Sequence, residues 1–142
     1  MAVVLLLFSC GIQGYVPPKN LKPPLFPFAD IISNQIRVTF YAFNDEDYFD
    51  GYGIFIADSL DSGVKDTGNL ISNRDGVVDK PTIYNVPAMT VATQISFLIE
   101  RNYNNERFTI NGKYYFYVKA YSFQYQFYSD SSEVTNVDYI TN

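Results

Sequence analysis

From Gln35 onward, apolar and polar residues alternate with a period of two, the pattern of a strand with one face buried. Ile36, Val38 and Phe40 share one parity and Arg37 and Thr39 the other. A polar loop from Asn44 to Asp50 follows, and then Gly51-Tyr-Gly-Ile-Phe-Ile-Ala brings Tyr52, Ile54 and Ile56 into phase. Further strands are predicted at Thr82 to Val86 and at Thr93 to Ile99. The strongest alternation runs from Lys113 to Ala120, where Tyr114, Phe116, Val118 and Ala120 interleave with Tyr115, Tyr117 and Lys119. A last strand is predicted near Glu133 to Tyr139. No helical periodicity competes, so the pattern gives an all-β domain of about seven strands packed as an antiparallel β-sandwich. The topology of 57–92 stays open, because Ser, Asp and Gly dominate much of it.

Composition narrows the class. The 142 residues make one domain, and thirteen tyrosines and twelve phenylalanines suit a pleated, half-buried surface. The net charge is −5 and the ten basic residues are scattered from Lys19 to Lys119, which leaves no footprint for a nucleic acid backbone. Histidine and tryptophan are absent. That removes the commonest general base, the commonest metal ligand and the best aromatic platform for sugars. A Ser-His-Asp triad is impossible, no Gly-x-Ser-x-Gly elbow occurs, and no carboxylate pair is marked out for glycoside hydrolysis. The expectation is a non-catalytic domain without a cofactor.

Cys10 is the only cysteine, so the domain holds no internal disulfide. Ahead of it, Ala2 to Phe8 is an unbroken apolar run far shorter than the roughly 20 residues of a membrane-spanning helix. Leu7-Phe8-Ser9-Cys10 resembles the lipobox of bacterial lipoproteins. That resemblance implies an export signal over 1–9, cleavage before Cys10 and lipid attached to its thiol. The other reading makes Val3 to Phe8 a buried first strand and Cys10 a core thiol. Prolines 17, 18, 23, 24 and 27 deny backbone hydrogen bonds, so 10–27 reads as an extended tether or an edge lead-in to a domain over 28–142. The implied location is the bacterial cell envelope, with the membrane as one partner and another envelope or host protein as a further one.

The body resembles the fibronectin type III superfamily of immunoglobulin-like sandwiches between about Pro23 and Val137. Val38-Thr39-Phe40 sits where that family has its strand-B apolar-x-Trp, with Phe in place of Trp. Asp50-Gly51-Tyr52-Gly53-Ile54 is similar to its strand C, and Tyr114-x-Phe116-x-Val118-x-Ala120 to its strand F. The resemblance makes Tyr114 the corner tyrosine, a structural residue whose hydroxyl caps backbone where the chain crosses between sheets. Local sequence offers a different outcome: Asn111-Gly112 between β-formers is a strong hairpin signal that would pair Arg107 to Ile110 with the next strand.

Two features bear on ligands. The acidic loop carries Asp45, Asp47 and Asp50, oxygen ligands of the kind calcium takes, set against the plainer reading of a solvated turn. Asn73 to Asp79 invites the same pair of readings, with Asp75-Gly76 as a turn. The aromatics are more distinctive. Tyr115, Tyr117, Tyr121, Phe123, Tyr125, Phe127 and Tyr128 crowd one strand and the loop after it. Tyr121, Phe123, Tyr125, Phe127 and Tyr128 are candidate binding anchors. The plainer reading has them cover the second face of a sheet, pack under the proline-rich lead-in or form a homomeric contact. Without tryptophan, a protein ligand is favoured over a sugar. Together these features predict a lipid-anchored adhesion or interaction module, with a structural envelope domain, or a calcium-dependent or carbohydrate-binding module, as alternatives.

Overall fold

The computed structural model describes residues 20–57, 68–77 and 79–140. The expected export signal over 1–9, Cys10 and the expected tether up to Lys19 lie outside the described residues. Among the described residues nine strands run in the order β1 (Leu25–Ile32), β2 (Gln35–Ala42), β3 (Gly51–Ala57), β4 (Asn69–Leu70), β5 (Ile83–Tyr84), β6 (Thr93–Ile99), β7 (Gly112–Ser122), β8 (Phe127–Tyr128) and β9 (Thr135–Tyr139). They form two antiparallel sheets. The smaller has the order β1-β2-β6; the larger has β4-β3-β7-β8, with β5 also on β3 and β9 also on β7. There is no helix among the described residues, and so none long and apolar enough to cross a membrane.

The period-two pattern does what it predicts. Ile36, Val38 and Phe40 of β2, Tyr52 and Ile54 of β3, and Phe116, Val118 and Ala120 of β7 are all fully buried and share one core. Fully burying a large apolar side chain contributes about 1.5–3 kcal/mol, so this inner layer is what joins the sheets. Two residues of the outward parity on β2 are tied by polar contacts: Arg37 forms a two-pronged ion pair with Asp30, and Thr39 shares a hydrogen bond with Ser96 at 2.9 Å.

Several expectations change. The proline-rich stretch enters the fold ahead of the expected domain start at residue 28, because Leu21 and Pro24 are buried and β1, a strand ahead of the Gln35 start of the alternating pattern, begins at Leu25. Pro27 is tolerated there because β1 is an edge strand and its register shifts between Leu25 and Phe28. Ser33 and Asn34, with φ of 48° and 62°, turn β1 into β2 by a two-residue loop of the type whose twist matches paired strands. The strand expected over Thr82 to Val86 shrinks to Ile83–Tyr84, since Asn85 takes a φ of 56° and turns the chain away.

The Asn111-Gly112 hairpin does not form. Arg107 bridges Arg101 instead, and the chain passes from β6 in one sheet to β7 in the other. Tyr114 sits at this crossing, where its hydroxyl accepts the Thr109 N–H at 2.7 Å while its ring meets Phe108 edge-on. Gly112 makes room for it. A Cβ at Gly112 would lie 2.8 Å from the Tyr114 hydroxyl oxygen, so any other residue would displace the phenol.

Both edges of the larger sheet are interrupted, and side-chain hydroxyls fill the gaps. On the β7 side, Ser129 and Ser132 stand between β8 and β9. Their Oγ atoms accept the Ala120 and Val118 N–H groups at 2.9 Å each, and their own N–H groups bond back to the same residues' carbonyls. On the β3 side, Thr82 Oγ1 accepts the Ile54 N–H at 2.9 Å and donates to the Ile71 carbonyl at 2.7 Å. Among the described residues no buried side-chain polar atom is left without a partner.

Candidate functional site

On the outer face of the larger sheet, Gly53 and Phe55 project from β3 and Tyr117, Lys119 and Tyr121 from β7, as the alternation requires. This face is not solvated. Phe55 and Tyr117 stack with centroids 5.1 Å apart and planes 2° from parallel, and Tyr128 meets Phe55 edge-on at 5.3 Å. Tyr121 leans on Tyr128 at 4.6 Å. Tyr117 is 1% exposed, and its hydroxyl accepts the Gly68 N–H at 3.0 Å. Gly53 is what lets Tyr128 lie down on the sheet, because a Cβ there would come within 2.7 Å of the Tyr128 ring.

The five candidate anchors therefore divide. Tyr121, Phe123 and Tyr128 line an open concavity of about 800 Å³ together with Asp79, Lys80 and Gln126. Tyr125 and Phe127 turn away to pack on Tyr48, and Phe127 also touches the core. Phe123 is the exposed member, with the Lys80 ammonium 3.7 Å from its ring centroid. Its N–H is held by the Asp50 carboxylate at 2.6 Å, which anchors the β7–β8 turn to the loop before β3. The result is a concavity with aromatic walls, one cation and one carboxylate at its rim. It can grip a mixed apolar and polar surface. The aromatic crowd was legible in the sequence; Lys80 and Asp79, brought in from the β4–β5 connection, were not.

This division predicts opposite outcomes for two substitutions. Phe127→Ser should cost about 1–3 kcal/mol through lost packing, whereas Phe123→Ser should stay within about 1 kcal/mol, the value of an exposed cation–π contact. Urea melts of the two variants read the difference. Burial also marks the tyrosines. Tyr128 has its pKa pushed up to about 12, by burial and then by neighbouring Tyr121, and Tyr52 is raised further by burial and then by Glu46. The protonated phenol is thus favoured in the folded state. Stability from both groups is intact below the ordinary tyrosine pKa of about 10 and is lost as pH rises beyond it. Phenolate absorbance should show late-titrating tyrosines, Tyr52 and Tyr128 among them, followed by alkaline unfolding.

The acidic loop does not converge on a cation. Asp45 is paired with Lys22, Asp50 is committed to the Phe123 N–H, and Asp47 is exposed, so the three carboxylates are dispersed. Mutual hydrogen bonding lowers the Asp45 pKa and raises that of Lys22. Among the described residues no group of three acidic or thiol side chains is placed to hold a metal. The Asn73 loop is likewise a closed turn: the Asn73 side chain takes both the N–H and the carbonyl of Val77 at 2.9 Å. Millimolar calcium should leave the melting temperature unchanged, and a rise would restore the metal reading.

A second concavity, of about 630 Å³, lies where the β4–β5 loop meets β6, with Arg74 over the Phe97 ring at 5.1 Å. No family model, curated protein or solved structure matches this chain.

Proposed function

We propose that this chain is a non-catalytic interaction module with a fibronectin type III-like sandwich, held at a bacterial envelope by lipid on Cys10. The strand order carries the fold reading: β1-β2-β6 corresponds to strands A, B and E, and β4-β3-β7 with β8 and β9 to strands C′, C, F and G. Tyr114, bonded to the Thr109 N–H where the chain crosses sheets, supports it as the corner tyrosine. The lipobox-like Leu7-Phe8-Ser9-Cys10 carries the anchor reading. Fold does not specify a ligand, so the binding role rests on the concavity of Tyr121, Phe123 and Tyr128, with another envelope or host protein as its partner.

A second reading has one observation in its favour. Phe55, Tyr117, Tyr121 and Tyr128 satisfy one another on the outer face, as in a structural accessory domain that needs no ligand. Fractionation of cells producing the full chain tests the anchor. The wild-type protein should sediment with membranes, resist high salt and be released by detergent, while Cys10→Ala should become soluble. Identical fractionation of the two would defeat the proposal.

A further inference from the structure

Among the described residues, a cluster of exposed apolar side chains lies away from the aromatic concavity, on the outer face of the smaller sheet. Leu25, Phe26, Phe28, Tyr41 and Phe43 are 53%, 72%, 58%, 44% and 39% exposed. They share one corner. Leu25 pairs with Tyr41 and Phe28 with Thr39, and Phe43 continues the same parity beyond β2. Phe26, at the register shift between them, has a φ of 50°. A bulky residue in the left-handed region is strained, and such strain is retained where a side chain is held out for a purpose.

We propose that this corner is a bilayer-contact surface that seats in the headgroup layer of the membrane. The inference rests on the lipid anchor at Cys10. Nine residues, 11–19, separate Cys10 from Asn20, and a fully extended chain spans at most about 3.6 Å per residue. The described chain begins at this same corner, where Leu21 is buried and Lys22 lies over the Phe43 ring at 4.4 Å. An acylated Cys10 therefore keeps the patch within about 35 Å of the bilayer. Phenylalanine, tyrosine and leucine side chains match the chemistry of the membrane–water interface.

Charge does not supply the attraction. Lys22 is paired with Asp45, and the chain is net −5. Contact should therefore be insensitive to salt and should occur on zwitterionic lipid. The aromatic concavity, on the outer face of the opposite sheet, then points away from the membrane.

The chain has no tryptophan, so one introduced indole is a clean reporter. Acylated full-length Phe28→Trp and Phe123→Trp, each checked for an unchanged melting temperature, are reconstituted on phosphatidylcholine vesicles with and without bromine on the upper acyl chain. Fluorescence at position 28 should fall several-fold more than at 123, in low and high salt alike. Protein that floats with the vesicles but shows equal, weak quenching at both positions overturns the inference and leaves the anchor standing. A chain that does not float overturns both. A sedimenting dimer with position 28 dark to bromine gives the face to a second copy and also overturns it.

Discussion

Replacing Ser129 and Ser132 together by alanine is expected to cost about 2–6 kcal/mol. Each Oγ is the acceptor for a buried backbone N–H, of Ala120 and of Val118, on a strand whose residues there are fully buried. Alanine fills almost the same space but accepts nothing, and a buried donor left unsatisfied costs about 1–3 kcal/mol. Each serine also donates to the carbonyl of the next residue, Asp130 or Glu133, and that bond holds the chain in the shape that spans the gap between β8 and β9. Set against a typical stability of about 5–15 kcal/mol, the double variant is close to unfolding. Equilibrium urea denaturation measures it. The single variants should sum to the double, and losses below about 1 kcal/mol would show that water reaches these amides.

Tyr52→Ala carries the second large effect, about 3–5 kcal/mol. Tyr52 is fully buried, packs edge-on to Phe40 at 5.0 Å and against Phe49 at 4.9 Å, and donates its hydroxyl proton to Asn44 Oδ1 at 2.9 Å. Asn44, itself 1% exposed, passes its amide protons to the Lys22 carbonyl and to Glu46. Tyr52 therefore fastens the N-terminal lead-in and the acidic loop to the core. Tyr52→Phe separates the two contributions, because it keeps the ring and should cost only the hydrogen bond, about 1–3 kcal/mol. Calorimetric melts of the pair distinguish them.

How far the sequence spoke depended on strand length and burial. β2, β3, β6 and β7 were legible because each has seven or more residues whose alternation reports a buried face. β4 and β8 have two residues each, too few for any period, and β5, expected over Thr82 to Val86, also keeps only two. β1 was hidden by composition, since Pro23, Pro24 and Pro27 read as a tether, although an edge strand tolerates a missing donor. Asn111-Gly112 signalled a hairpin on local grounds. The crossing won because Gly112 is needed beside the Tyr114 hydroxyl, a tertiary demand that looks the same in sequence. The aromatic cluster was visible, but not its partition. Tyr125 and Phe127 face Tyr48 while Phe123 faces Lys80, and those partners lie in other loops. The acidic loop illustrates the limit of composition, which does not show that Asp45 pairs with Lys22 and Asp50 with a backbone amide.

The proposed role in the envelope turns on Cys10, the residue that would connect the sandwich to a membrane. Metabolic labelling of cells with radioactive palmitate, with the full-length chain and its Cys10→Ala variant side by side, tests this most directly. The account predicts label on the wild-type protein and none on the variant. An unlabelled wild-type chain of undiminished mass would contradict it, leaving the N-terminal apolar run as part of the folded protein.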